Sequence, residues 1–183
     1  MNQFDRYKKD HIDVIENFSD YDTLDRVIQE LTNCLKKRLP VLIFGNGGSA
    51  ADALHFSAEL VGKFLKDRKA LNVICLNSNQ SALTAWSNDY EFDSVFERQV
   101  EAHGQEAGIV IGISTSGRSA NVLNGLKKGK SMGMTTMMMT GENFTTNSSI
   151  DFCLKVSSTD TPFIQECHLM IYHYIAMKVE GNF

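Results

Sequence analysis

The sequence predicts an α/β protein, a five-stranded parallel sheet with helices on both faces and an N-terminal helical segment. Three observations lead there. After Pro40, short apolar runs give way repeatedly to longer helical stretches. The runs are continuously rather than alternately apolar, as in strands covered on both faces. Two turns rich in glycine and hydroxyls follow the first and third runs, where open sheets of this class bind their ligands.

The elements can be justified in order. Helices are expected near 3–17 and 22–37; in the second, Leu24, Val27, Ile28, Leu31 and Leu35 keep helical spacing. That helix runs into Lys36-Lys37-Arg38-Leu39-Pro40, cations near the end and then a proline stop. Strands are expected at 41–45, 72–76, 109–113, 135–139 and 152–156, and further helices near 49–66, 79–86, 91–103, 117–131 and 162–180. The alternation reads β-α-β-α-β-α-β-α-β, a parallel sheet with helices on both faces. Met137-Met138-Met139 reads as core filling. Residues 1–183 form one expected domain, with 1–38 as helices for packing or oligomerisation and 39–183 as the α/β core.

Composition narrows the function. With 18 basic and 22 acidic residues the formal charge is −4, which gives no basic surface for nucleic acid. An anionic ligand must therefore be held by local donors. Cys34, Cys75, Cys153 and Cys167 form no CxxC pair and read as reduced core residues of a cytoplasmic protein. The N-terminus is too charged for a secretory signal, and no apolar run approaches the roughly 20 residues that span a bilayer.

The two loops carry the chemistry. In the 2-1-3-4-5 strand order, the ligand crevice opens between the first and third strands. The first strand runs into Gly45-Asn46-Gly47-Gly48-Ser49 and the third into Ser114-Thr115-Ser116-Gly117-Arg118-Ser119. One hydroxyl would suffice to cap a helix. Four of them, with a glycine turn and a following helix, point to phosphate. Neither loop is a GxxxxGK[ST] or GxGxxG motif, so the expected ligand is a small phosphorylated molecule rather than a nucleotide.

Two helices carry further candidates. His55 and Glu59 stand at i and i+4 on one helix face. By spacing alone such a pair is more often a surface pair, but this one follows the glycine-rich turn. On the last helix, Gln165 and His173 are separated by about 80° around the axis and about 12 Å along it. Taken alone, His168 and His173 read as hydrogen-bonded residues at a helix interface.

The stretches GNGGSAADALHFSAEL, ALTAWSNDYEFDSVFERQVEAHG, GISTSGRSANVL, MTGEN and STDTPFIQECHLMIYH together resemble the sugar isomerase (SIS) domain family, and within it the bacterial sedoheptulose 7-phosphate isomerases. The resemblance implies a flavodoxin-like SIS domain and an aldose–ketose isomerase. It would convert sedoheptulose 7-phosphate to D-glycero-D-manno-heptose 7-phosphate through an enediol, at the entry to activated heptoses for lipopolysaccharide or other surface glycans. It implies a homotetramer with active sites at subunit contacts, and zinc held by positions matching His55, Glu59, Gln165 and His173. Substrate contacts match Asn46, Gly47, Gly48, Ser49, Asn88, Asp89, Ser114, Thr115, Ser116, Ser119 and Gln165. Such an isomerisation needs a base beside two carbons and an acid/base beside two oxygens. Glu59 is assigned the first role and His173 the second. Ser87, Lys63, Arg118 and Pro162-Phe163 depart from the family pattern and bear on which sugar phosphate is recognised. The alternatives are an isomerase of another sugar phosphate, or a non-catalytic tetramer that associates with a replication initiator. Such regulators lack the acid and the late histidine, and both are present here.

Overall fold

The computed structural model describes residues 2–183. Two helices, α1 (Gln3–Glu16) and α2 (Tyr21–Lys36), precede β1 (Val41–Gly45) and α3 (Gly48–Val61). Then come β2 (Val73–Cys75), α4 (Gln80–Asp89), a 3-10 turn at Phe92–Ser94 and α5 (Val95–His103). The chain closes with β3 (Ile109–Ser114), α6 (Ala120–Ser131), β4 (Thr135–Gly141), β5 (Phe152–Val156) and α7 (Thr161–Glu180). The strands pair in the order β2-β1-β3-β4-β5, all parallel, so β1 and β3 lie side by side and the crevice falls where the sequence places it.

The sheet is the middle layer. On one side Leu31, Phe56, Leu60, Ile171 and Tyr172 from α2, α3 and α7 pack on Val41, Ile43 and Ile111. On the other, Phe96, Val100, Val122 and Leu126 from α5 and α6 pack on Leu42, Phe44, Val110 and Met138. Alternate residues of one strand thus feed two cores, which is why the strand sequences show no polar phase. Met137, Met138 and Met139 are buried, as core filling requires. All four cysteines are free, and Cys34, Cys75 and Cys167 are buried. Burial pushes the Cys34 and Cys167 thiols up to about 11. No helix is long and apolar enough to cross a membrane among the described residues.

Three expectations are corrected. The β4–β5 link has no helix: residues 142–151 cross as a loop, pinned where the Asp151 carboxylate accepts from the Thr136 backbone N–H (3.0 Å) and where Lys155 donates to the Phe144 carbonyl (2.7 Å). The helix expected over 49–66 stops at Val61, because Gly62 ends it and the next segment turns away to meet α7. The helix expected from 117 starts at Ala120; Gly117 instead takes a left-handed φ of 65° and donates its N–H to the Ser114 carbonyl, 3.0 Å away. That turn stays open to the loop's hydroxyls because only glycine adopts this φ without strain.

Candidate active site

The site is assembled from the ends of β1 and β3 and from the facing sides of α3 and α7. Asn77, just past β2, fastens the first loop: its amide donates to the Gly45 carbonyl (2.9 Å) and accepts the Gly45 N–H (3.1 Å). Asn46 and Asn121 then bond reciprocally, each amide nitrogen donating to the other's oxygen at 2.8 and 2.9 Å. Asn121 is 1% exposed, so the GNGGS loop is clasped to the first turn of α6 by a nearly dry pair of hydrogen bonds.

The serine loop keeps most of its donors free. The Ser114 and Ser119 hydroxyls lie 3.0 Å apart, so Ser119 faces its neighbour across the loop. The exposed Ser116 accepts the Arg118 N–H at 3.2 Å. Thr115 is half-buried, and its carbonyl accepts the Gly141 N–H from β4. Hydroxyls and N–H groups ahead of a helix start make a ready anion site. Ser49, 3% exposed in the first turn of α3, is the most enclosed hydroxyl of the opposite loop. Gln165, in the first half of α7, lies over Gly48; a Cβ at that glycine would collide with the Gln165 side-chain amide. Glycine there permits the contact that brings α7 to the loop.

Further along the same two helices, His55, Glu59 and His173 converge. His55 Nε2 lies 3.0 Å from Glu59 Oε1 and 3.4 Å from His173 Nε2. The three donor atoms all fall within 4.8 Å of one another, so two imidazoles and a carboxylate form a cluster that can hold a metal ion. Tyr172 OH stands 3.0 Å from His55 Nδ1, on the ring's far side. A hydroxyl can donate or accept, so it suits either His55 tautomer. When Nδ1 carries the proton and donates to Tyr172, the Nε2 lone pair turns towards Glu59 and His173.

Electrostatics favour neutral imidazole. Burial, then the neighbouring His55, holds the His173 pKa below the usual histidine value, against the pull of Glu59. Asp52, one turn before His55 and 8% exposed, is pushed up to about 6 by burial, with His55 opposing. Burial, then Asp52 and Glu59, raises the Tyr172 phenol well above its ordinary value.

Asn88 and Asp89 stand elsewhere. They bond to each other (2.9 Å) at the exposed end of α4, which packs on the 92–94 turn and α5 in the opposite layer. A groove of about 460 Å³ beside α7, lined by Phe18, Tyr21, Leu24, Met170, Ile171 and Tyr174 with Asp25, is mostly apolar and lies apart from the His55, Glu59 and His173 cluster. Spacing marked His55 and Glu59 but missed Asn77, Asn121 and Tyr172. Asn77 lies in an ordinary loop after β2, Asn121 is one polar residue in the first turn of α6, and Tyr172 carries no polar signal distinct from its apolar helix.

A parallel sheet opening on a hydroxyl-rich loop, with an acid and imidazoles on the flanking helices, defines an α/β protein with a candidate anion site beside proton-transfer groups. The profile of the SIS domain matches residues 6–141. The phosphoheptose isomerase of Crocosphaera subtropica is 48% identical over 160 residues, 87% of this chain and 82% of that one. Phosphoheptose isomerase 1 of Campylobacter jejuni is 49% identical over 159 residues, 86% of each chain. The solved phosphoheptose isomerase from Neisseria gonorrhoeae superposes with a TM-score of 0.88 at 32% identity, over 98% of this chain and 97% of that one. The chain belongs to the SIS domain family, among its phosphoheptose isomerases, and is an isomerase.

Proposed function

We propose that this isomerase interconverts sedoheptulose 7-phosphate and D-glycero-D-manno-heptose 7-phosphate through an enediol. The observation that carries the reading is the convergence of Glu59 with His55 and His173 on the helices that flank the phosphate-type loops. Ser114, Thr115, Ser116 and Ser119 bind the phosphate, and Asn46, Ser49 and Gln165 contact the sugar. Glu59 removes a proton from C1 of the ketose while the C2 oxygen gains one, giving the enediol. Glu59 then returns a proton to C2, and the O1 proton leaves to form the aldehyde. His173 carries the proton between the two oxygens, since a neutral imidazole can both accept and donate. Burial and the neighbouring His55 hold the His173 pKa below the usual histidine value, which favours the neutral form.

Zinc suits the donor set of two imidazoles and a carboxylate, with His55, Glu59 and His173 as ligands and the Gln165 amide as the fourth candidate. When bound, it would polarise the substrate's carbonyl and stabilise negative charge on its oxygens. Glu59 Oε1 is the oxygen turned to His55, leaving Oε2 for the proton transfer. We also propose a homotetramer with shared sites. Asn88 and Asp89, displaced to the opposite layer beside the exposed Tyr90 and Phe92, would then serve a neighbouring subunit. The aldoheptose phosphate would feed activated heptose synthesis for surface glycans in the cytoplasm.

The test is NMR of sedoheptulose 7-phosphate incubated with the protein in deuterated water, before and after chelation and zinc readdition. Aldoheptose phosphate labelled at C2 is expected, with activity lost on chelation and restored by zinc. Folded protein that gives no product under any metal condition would overturn the assignment. Activity indifferent to chelation would remove zinc alone.

A further inference from the structure

One buried ion pair is unaccounted for by binding or by proton transfer. The Arg68 side chain is 3% exposed and that of Glu180 is 2% exposed, with Arg68 Nε 3.3 Å from Glu180 Oε1. Glu180 is the last residue of α7 and Arg68 lies in the segment after α3. The Glu180 carboxylate also accepts three successive backbone N–H groups, from Phe64 (2.8 Å), Leu65 (2.7 Å) and Lys66 (2.9 Å). Burial alone would raise its pKa, but these donors and Arg68 hold it below the usual glutamate value. Arg68 in turn donates to main-chain carbonyls: Glu59 at 2.8 Å, Gly62 at 3.1 Å and Lys69 at 3.1 Å.

Two of those carbonyls belong to the C-terminal end of α3, where helix oxygens lack partners and a cation is favoured. One belongs to Glu59 itself. The carboxylate lies two helical turns beyond His173 on α7. Between them the 62–66 segment is folded around Glu180 and presses the Phe64 ring on His173, centroids 5.5 Å apart. The bonds therefore join the backbone of the acid to the helix of the histidine through one network, centred on two side chains that are almost wholly covered.

We infer that Arg68 and Glu180 are positioning residues that lock the C-terminal ends of α3 and α7 together and so fix Glu59 and His55 against His173. A buried pair is seldom a net gain in stability over apolar packing. A site that must hold three donor atoms within 4.8 Å gains from it in geometry, because a displacement of about 1 Å can cost on the order of 100-fold in rate. The inference rests on the isomerase reading above.

The test compares Glu180→Gln and Arg68→Lys with Asp151→Asn. The control breaks another carboxylate that accepts a backbone N–H, in the β4–β5 link away from α3 and α7. Each metal-stripped protein is titrated with cobalt(II), followed by its visible absorption, and kcat and KM for sedoheptulose 7-phosphate are measured with melting temperature. Glu180→Gln should weaken cobalt binding about 10-fold or more and lower kcat about 10-fold or more, with KM within about twofold. Arg68→Lys should fall between it and wild type, since lysine keeps the charge but loses the fork. Asp151→Asn should lower the melting temperature without moving kcat or cobalt affinity. Variants that lose only melting temperature, as the control does, would overturn the lock. Should Glu180→Gln fail to fold, Arg68→Lys carries the same comparison. Inactive wild type that binds no cobalt would overturn the isomerase reading and the lock together; active wild type with unaltered variants would overturn the lock alone.

Discussion

His55 is the residue on which the site turns, because both of its nitrogens are committed. Nε2 meets Glu59 and His173, and Nδ1 meets Tyr172. Removing the hydroxyl in Tyr172→Phe leaves Nδ1 without that partner, and metal affinity should fall about 10- to 100-fold while the fold, measured by circular dichroism, persists. Glu59→Gln removes the proposed base but not the packing. It should lower kcat at least about 100-fold with sugar-phosphate binding retained by calorimetry. Ser116→Ala should act on the other side of the kinetic ledger, raising KM with little change in kcat; an unchanged KM would count against its phosphate role. His55 and Glu59 were legible in the sequence because i and i+4 fix a shared helix face. His173 was named only through the family resemblance and not from spacing, since 113 residues of chain lie between it and Glu59 and only the tertiary fold brings them together. Asn88 and Asp89 show the converse: the motif marks them, but the fold of the chain leaves them bonded to each other, away from α3 and α7.

At the scale of elements, the site depends on how loops are tied to helix ends. The Asn46–Asn121 pair bridges the β1 loop and α6, and each amide is both donor and acceptor. Asn121→Asp keeps the shape but cannot donate, and sets a carboxylate beside the Asn46 oxygen and the anion loop. KM should rise about 10-fold or more, and stability should drop by about 1–3 kcal/mol for the oxygen left unpaired, as read by urea unfolding. Strand positions were legible because continuous apolar runs between polar turns admit few alternatives. Helix ends were less so. The end of α3 is set by Gly62 and by Arg68, whose partner Glu180 is remote in sequence; the start of α6 is set by the backbone twist at Gly117. The missing β4–β5 helix has the same origin, since the Thr136–Asp151 bonds that hold the crossing exist only after β4 and β5 pair.

For the whole molecule, acid stability follows from a histidine outside the chemistry. His168 is fully buried behind the site, its Nε2 3.4 Å from the Thr140 carbonyl, and burial lowers its pKa from 6.5 to about 4. Its folded value lies below its unfolded value, so the unfolded chain binds the extra proton between these limits. The contribution is fully present above pH 6.5 and is lost as pH falls towards about 4, a loss approaching about 3 kcal/mol. Urea unfolding across this range should show that slope, and His168→Gln should flatten it.

The state of the four thiols has a practical consequence for studying this molecule in solution. Attack on a labelling reagent requires thiolate, and the raised Cys34 and Cys167 values leave about one thiolate in several thousand near pH 7.5 even before burial blocks approach. Burial raises Cys75 and Cys153 in the same direction. A maleimide should therefore leave the native protein nearly unmodified, while a single cysteine introduced on an exposed face, as in Lys127→Cys on α6, should react within minutes. The natural chain is thus ready for site-selective fluorophore attachment without replacement of its own cysteines, and energy transfer between separately dyed batches, once mixed, tests the proposed tetramer directly.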